Sequence, residues 1–134
     1  RGQVYSQYRR VELEVYIGPY PEDDSERKVS IKIDPWDTWS MDNTLALIIV
    51  PMLKQLKADT HGAPTVDLED VPEALRGDTE SLFFERWDWC LDVMIYAFEV
   101  SSSDADWEEM DKRVAETIDK GFYLFGKYYR SLWD

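Results

Sequence analysis

PWDTWSMDNTLALIIVPMLKQLK, residues 35–57, is the stretch that decides the fold. It opens with Trp36 and Trp39, passes the cap-forming residues Ser40 and Asp42, and enters a helix whose run Leu45, Leu47, Ile48, Ile49 and Val50 leaves no polar face. Such a helix is expected to be covered on most sides, so the core should centre on residues 42–57. Pro51 falls in mid-helix, where it removes one backbone hydrogen bond and should bend the rod.

Upstream, Val11, Leu13, Val15 and Ile17 alternate with Glu12, Glu14 and Tyr16, and Val29, Ile31 and Ile33 alternate with Lys28, Ser30 and Lys32. Period-two alternation predicts two half-buried strands. The polar GPYPEDDSER between them makes an antiparallel hairpin the economical pairing, with Glu12 and Glu14 facing Lys28 and Lys32. Residues 1–10 read as an arm. A lone two-stranded hairpin is marginal and leaves open edges, so it must lie on the helices or pair with another chain. A homo-oligomer formed through the hairpin is therefore expected.

Downstream, residues 58–80 form an acidic irregular segment with a turn at His61-Gly62-Ala63-Pro64 and a short helical turn beginning near Asp70-Val71-Pro72-Glu73. A second helix is predicted from about Thr79 to Val100, with Leu82, Phe83, Trp87, Cys90, Leu91, Met94, Ile95 and Phe98 as its apolar set. Glu85, Asp88, Asp92 and Glu99 share one of its faces and call for basic partners. Ser101–Asp104 offers the cap of a third helix, whose stripe is Trp107, Met110, Val114, Ile118, Phe122, Phe125, Tyr129 and Leu132. Gly121 and Gly126 weaken that helix and point to close backbone approach by a neighbour. The fold class expected is α+β, an N-terminal antiparallel β-hairpin packed on a three-helix bundle. One domain over 1–134 would comprise an arm and hairpin (1–34) and a helical core (35–134).

The 134 residues include six Trp, eight Tyr and five Phe, an aromatic load that suits a dense core plus a contact surface. The formal charge of −13 is lopsided: residues 1–34 carry six basic against seven acidic side chains, and residues 35–134 nine against 21. A field of that sign disfavours direct DNA binding and anionic membranes, and it favours cationic partners. Cys90 is the sole cysteine, which excludes an intrachain disulfide and points to a reducing compartment. There is no apolar run long enough for a membrane span. The chain begins at Arg1 rather than Met, as expected of a processed, trimmed or partial product.

Catalytic signals are sparse. Glu85-x-x-Asp88, with Asp92, has the spacing by which helical carboxylates hold Mg or Mn in all-α nucleotide pyrophosphatases. The double-glutamate partner motif is missing from the preceding helix, which offers only Asp42. His61 is the only histidine, which rules out a His-pair zinc site, and its Gly/Pro setting reads as a turn. The run KGFYLFGKYYRSLWD mixes Lys120, Lys127 and Arg130 with Tyr123, Tyr128, Tyr129 and Trp133. That mixture suits core packing at a helix end, or a nucleotide held by stacking and phosphate pairing. Candidate binding residues are Trp36, Trp39, Asp42, Asn43, His61, Lys127, Tyr128 and Arg130; no catalytic residue is assigned.

Several phrases resemble an uncharacterised family of small acidic proteins encoded by tailed bacteriophages of the marine type. They are Asp37-Thr-Trp-Ser-Met-Asp42 with Thr44-Leu45-Ala46, Pro51-Met-Leu-Lys-Gln-Leu56, His61-Gly62 with Pro64, Glu69-Asp70-Val71-Pro72, Arg86-Trp-Asp-Trp89, and Phe122 through Tyr129 followed by Leu132-Trp133-Asp134. The family pattern often has His at Asn43 and Glu at Val93, and a longer insertion near Ser101–Asp106. The resemblance implies phage origin, a natural end at Asp134 and no established activity. The expected function is a non-enzymatic accessory protein in the host cytoplasm, an inhibitor or sponge against a host defence component. Its partner would be a basic host protein or a small nucleotide. A minor virion or assembly component and a Mg- or Mn-dependent nucleotide hydrolase are the alternatives.

Overall fold

The structure, a computed structural model, describes residues 11–102 and 111–134. In chain order these form β1 (Glu14–Ile17), β2 (Val29–Lys32), α1 (Met41–Asp59), α2 (Glu80–Ser101) and α3 (Lys112–Lys127), with short 3-10 turns between them. The architecture is α+β: a two-stranded antiparallel hairpin followed by three helices that pack together. No described helix is long and apolar enough to cross a membrane. The chain divides into two compact units, one ending at Thr44 and the other spanning Leu45–Asp134.

In the first unit the register places Glu14 opposite Lys32, Val15 opposite Ile31, Tyr16 opposite Ser30 and Ile17 opposite Val29. Glu14 and Lys32 meet at 3.4 Å as the charge pattern predicts, whereas Lys28 lies beside Gly18 and not opposite Glu12. Arg27 pins the connecting loop, donating from Nε to the Gly18 carbonyl at 2.8 Å and lying over the Tyr20 ring. The strands are not half-buried, however. Every residue of β1 and β2 is exposed, on the apolar face as well as the polar one. Buried Asp34 ends the hairpin: its carboxylate accepts from Trp36 N and Val11 N, each at 2.9 Å, and its own N–H donates to Asp37. This reciprocal capping box fixes the turn Pro35–Thr38.

The second unit corrects the expected centre of the core. Helix α1 buries only Ala46 and Leu53, with Ile49 and Leu56 packed alongside. Leu45, Leu47, Ile48 and Met52 remain 41%, 77%, 38% and 66% exposed. The core centres instead on α2, where Trp87, Cys90, Leu91 and Met94 are sealed from solvent. Steps of three and four carry the buried set of α2 round more than one face. Trp87, Leu91 and Met94 join Leu53, Val66 and Val71 in one cluster, while Val93 and Ala97 lie against Gly121 of α3. Phe98 closes the packing with edge-to-face contacts to Phe122 and Phe125, both at 5.0 Å between ring centres.

Two acids of the α2 face, Asp92 and Glu99, find basic partners on α1. Lys57 reaches Asp92 at 2.6 Å and Lys54 reaches Glu99 at 2.8 Å, which sets α1 antiparallel to α2. Of the predicted third-helix cap Ser101–Asp104, Ser101 is the last residue of α2 and Ser102 its C-cap, while Ser103, Asp104 and the stripe residues Trp107 and Met110 lie outside the described residues. Asp111 caps α3 by accepting from Arg113 N at 2.7 Å. The face of α3 that is buried runs through Ile118, Gly121, Leu124 and Tyr128, rotated from the predicted line: Phe122 and Tyr129 are 40% and 63% exposed. Gly121 is a point of close approach as expected, whereas a side chain at Gly126 would meet open space.

Candidate functional site

Among the described residues, the most highly connected polar cluster lies where the acidic segment after α1 crosses α3. Val66 and Val71 are buried and draw the chain between them inward, so Asp70 is carried with them to 3% exposure. A buried carboxylate needs a full set of donors. Asp70 accepts from Tyr128 Oη at 2.7 Å, Lys127 Nζ at 2.6 Å and Tyr123 Oη at 3.0 Å, all from the last turns of α3. Lys120 stands 3.8 Å away. Lys127 also pairs with Asp67 at 2.7 Å, and the Tyr128 hydroxyl accepts from Asp67 N.

Burial alone would raise the Asp70 carboxyl, but the bonds from Lys127, Tyr128 and Tyr123 outweigh it and hold the group below the ordinary carboxylate range. The hydrogen bonds that Lys127 donates to Asp67 and Asp70 push its ammonium up, and burial followed by the bond to Asp70 pushes the Tyr128 phenol up. Each shift favours the charge state in which these bonds form. The arrangement ties loop to helix.

Of the candidate binding residues, Lys127 and Tyr128 are drawn into this cluster. Arg130 is exposed on the following turn, its carbonyl accepting from Trp133 Nε1 at 3.1 Å. His61 is exposed and holds Asp134 through its backbone N–H at 2.7 Å and its ring Nδ1 at 3.0 Å, a contact joining the turn to the chain end. Trp36 and Trp39 meet edge to face at 4.7 Å and line a shallow hollow with Val11, Leu13, Asp34 and Asp37. Asp42 and Asn43 sit exposed on the first turn of α1. Glu85, Asp88 and Asp92 share a helix face but do not converge. Asp92 is bonded to Lys57, and among the described residues no group of three or more His, Cys, Asp or Glu is placed to hold a metal ion.

Asp70 was missed at the sequence level because an acidic segment reads as solvated. The signal that could have found it is the pair Lys120 and Lys127 on α3, cations in an acidic protein whose partners must come from elsewhere.

Cys90 is wholly buried, and its thiol is pushed up to about 12 by desolvation and then by the Asp70 charge. The folded protein is expected to leave an aromatic disulfide reagent unreacted at neutral pH and to release one equivalent only in concentrated guanidinium. Immediate reaction of the native protein would show that α2 opens readily.

Fold and surfaces define the chain as an α+β protein with a bare hairpin and a helical unit stapled by a buried carboxylate. Comparison with protein-family models, with curated proteins and with solved structures returns no match.

Proposed function

We propose that this protein works by binding and not by bond-breaking, as an accessory protein of a tailed bacteriophage that captures a basic host protein in the host cytoplasm. The observation that supports this reading most is the apolar stripe Leu45, Ile48 and Met52 of α1, flanked by Leu47, on a helix that buries its other side. Residues at steps of three and four on one exposed helix face form the anchor pattern of a helical docking surface. The nine basic against 21 acidic side chains of residues 35–134 suit a cationic partner whose apolar groove is rimmed by Lys or Arg. An inhibitor or sponge directed at a host defence component is the role that fits such a surface, and the phage setting rests on the sequence resemblance.

Native mass spectrometry of the protein recovered from infected cells tests this. A stoichiometric complex with a basic host protein is expected, lost in Ile48→Glu while the helical circular dichroism is unchanged. A complex indifferent to Ile48→Glu would overturn the reading. So would hydrolysis of nucleotides with Mg or Mn that disappears in Glu85→Gln and Asp88→Asn.

A further inference from the structure

The hairpin presents a second apolar surface, of different composition and charge from α1. Its register puts Val15 beside Ile31 and Ile17 beside Val29 on one face, and the period of two adds Val11 and Ile33 to that face. These six side chains are 51%, 44%, 50%, 59%, 52% and 55% exposed for Val11, Val15, Ile17, Val29, Ile31 and Ile33. The opposite face carries Glu14, Tyr16, Ser30 and Lys32, with Glu14 and Lys32 already paired. We infer that the apolar face of the hairpin is covered by the same face of a second copy of this chain, the two hairpins stacking about a twofold axis.

Three observations select a second copy as the occupant. Residues 11–34 carry three basic against seven acidic side chains, but none of these charges falls on the apolar face, whose positions 11, 13, 15, 17, 29, 31 and 33 are all Val, Leu or Ile. Two copies can therefore meet face to face with no charged side chain between them, and a cationic partner finds no carboxylate on that face. The face is also built of similar β-branched residues from both strands, so it is self-complementary, as an isologous interface requires. Half-exposed Val and Ile side chains leave roughly 500 Å² of apolar surface per chain, so stacking two copies buries about the 1,000 Å² that separates specific interfaces from incidental ones. Face-to-face stacking at about 10 Å also gives a two-stranded sheet the packing layer it lacks. Edge-to-edge pairing would leave the apolar face in water.

Sedimentation velocity on the full chain across a concentration series tests the inference. A reversible dimer is expected, weakened at least about 100-fold by Ile31→Glu, which would bury an unpaired charge, and unchanged by Ser30→Glu on the other face. Circular dichroism identical to the parent shows that both variants remain folded. A strict monomer at about 0.5 mM would overturn the proposal, and so would a dimer equally tolerant of both charged variants. Ile48→Glu should leave this dimer intact, so failure here is distinguishable from failure of the α1 reading.

Discussion

Asp70→Ala is expected to lower the free energy of unfolding by about 3 kcal/mol, the usual scale for deleting one member of a buried ion pair. The loss has two parts. The phenol of Tyr128, at 7% exposure, keeps its acceptor role toward Asp67 N but loses the acceptor for its own proton. Lys127 keeps Asp67 and the more distant Glu69 but loses the shortest of its three carboxylate contacts. Tyr128→Phe should cost less, about 1–2 kcal/mol, because the carboxylate retains Lys127 and Tyr123. The double variant should cost less than the sum, since both single changes remove the same bond.

A pH dependence follows from the same group. Its folded pKa is depressed, so its contribution to stability is complete above the unfolded carboxyl value and is lost as pH falls through the folded one. Urea unfolding of the parent should therefore show stability falling under acid conditions, and Asp70→Ala should flatten that slope. Parallel acid profiles for parent and variant would show that the cluster contributes nothing through this carboxyl.

Gly121 is the second position where a single atom has a large expected effect. A methyl group there would stand 2.5 Å from the Val93 carbonyl oxygen and would also collide with Ala97 Cβ, both on α2. Backbone oxygen cannot swing aside as a flexible side chain can, so α3 would have to move off α2 along the most buried seam. Gly121→Val should destabilise by about 3 kcal/mol, and Gly121→Ala by about 2 kcal/mol after the gain in helix propensity is subtracted. Ala97→Gly should rescue Gly121→Ala only in part, because the carbonyl contact remains. Gly126→Ala, in the same helix and facing open space, should instead stabilise by about 0.5–1 kcal/mol. Opposite signs at two glycines five residues apart, read by urea denaturation, would confirm that the seam runs along the Gly121 side of α3; two gains would refute it.

Much of the architecture was legible in local pattern. Alternation predicted both strands, and their pairing brought Glu14 to Lys32 as expected. Steps of three and four marked α2 and its apolar set, and the acidic stripe on α2 required the lysines that α1 supplies. Such features depend on backbone periodicity and on charges a few residues apart, which the chain carries in its own order.

Three things were decided only in three dimensions. Hydrophobicity around residues 45–50 predicted a wrapped helix, but apolar composition states a preference for burial and not whether neighbours are present to provide it; Leu47 and Met52 stand mostly in water. The alternating strands predicted a buried face for the same reason, and that face is bare. Asp70, lying in a run of acids, became the polar centre of the helical unit because Val66 and Val71 draw it under α3, where Lys127 and two tyrosines converge. Periodicity is written by each segment alone, whereas cover and convergence depend on which other segments arrive.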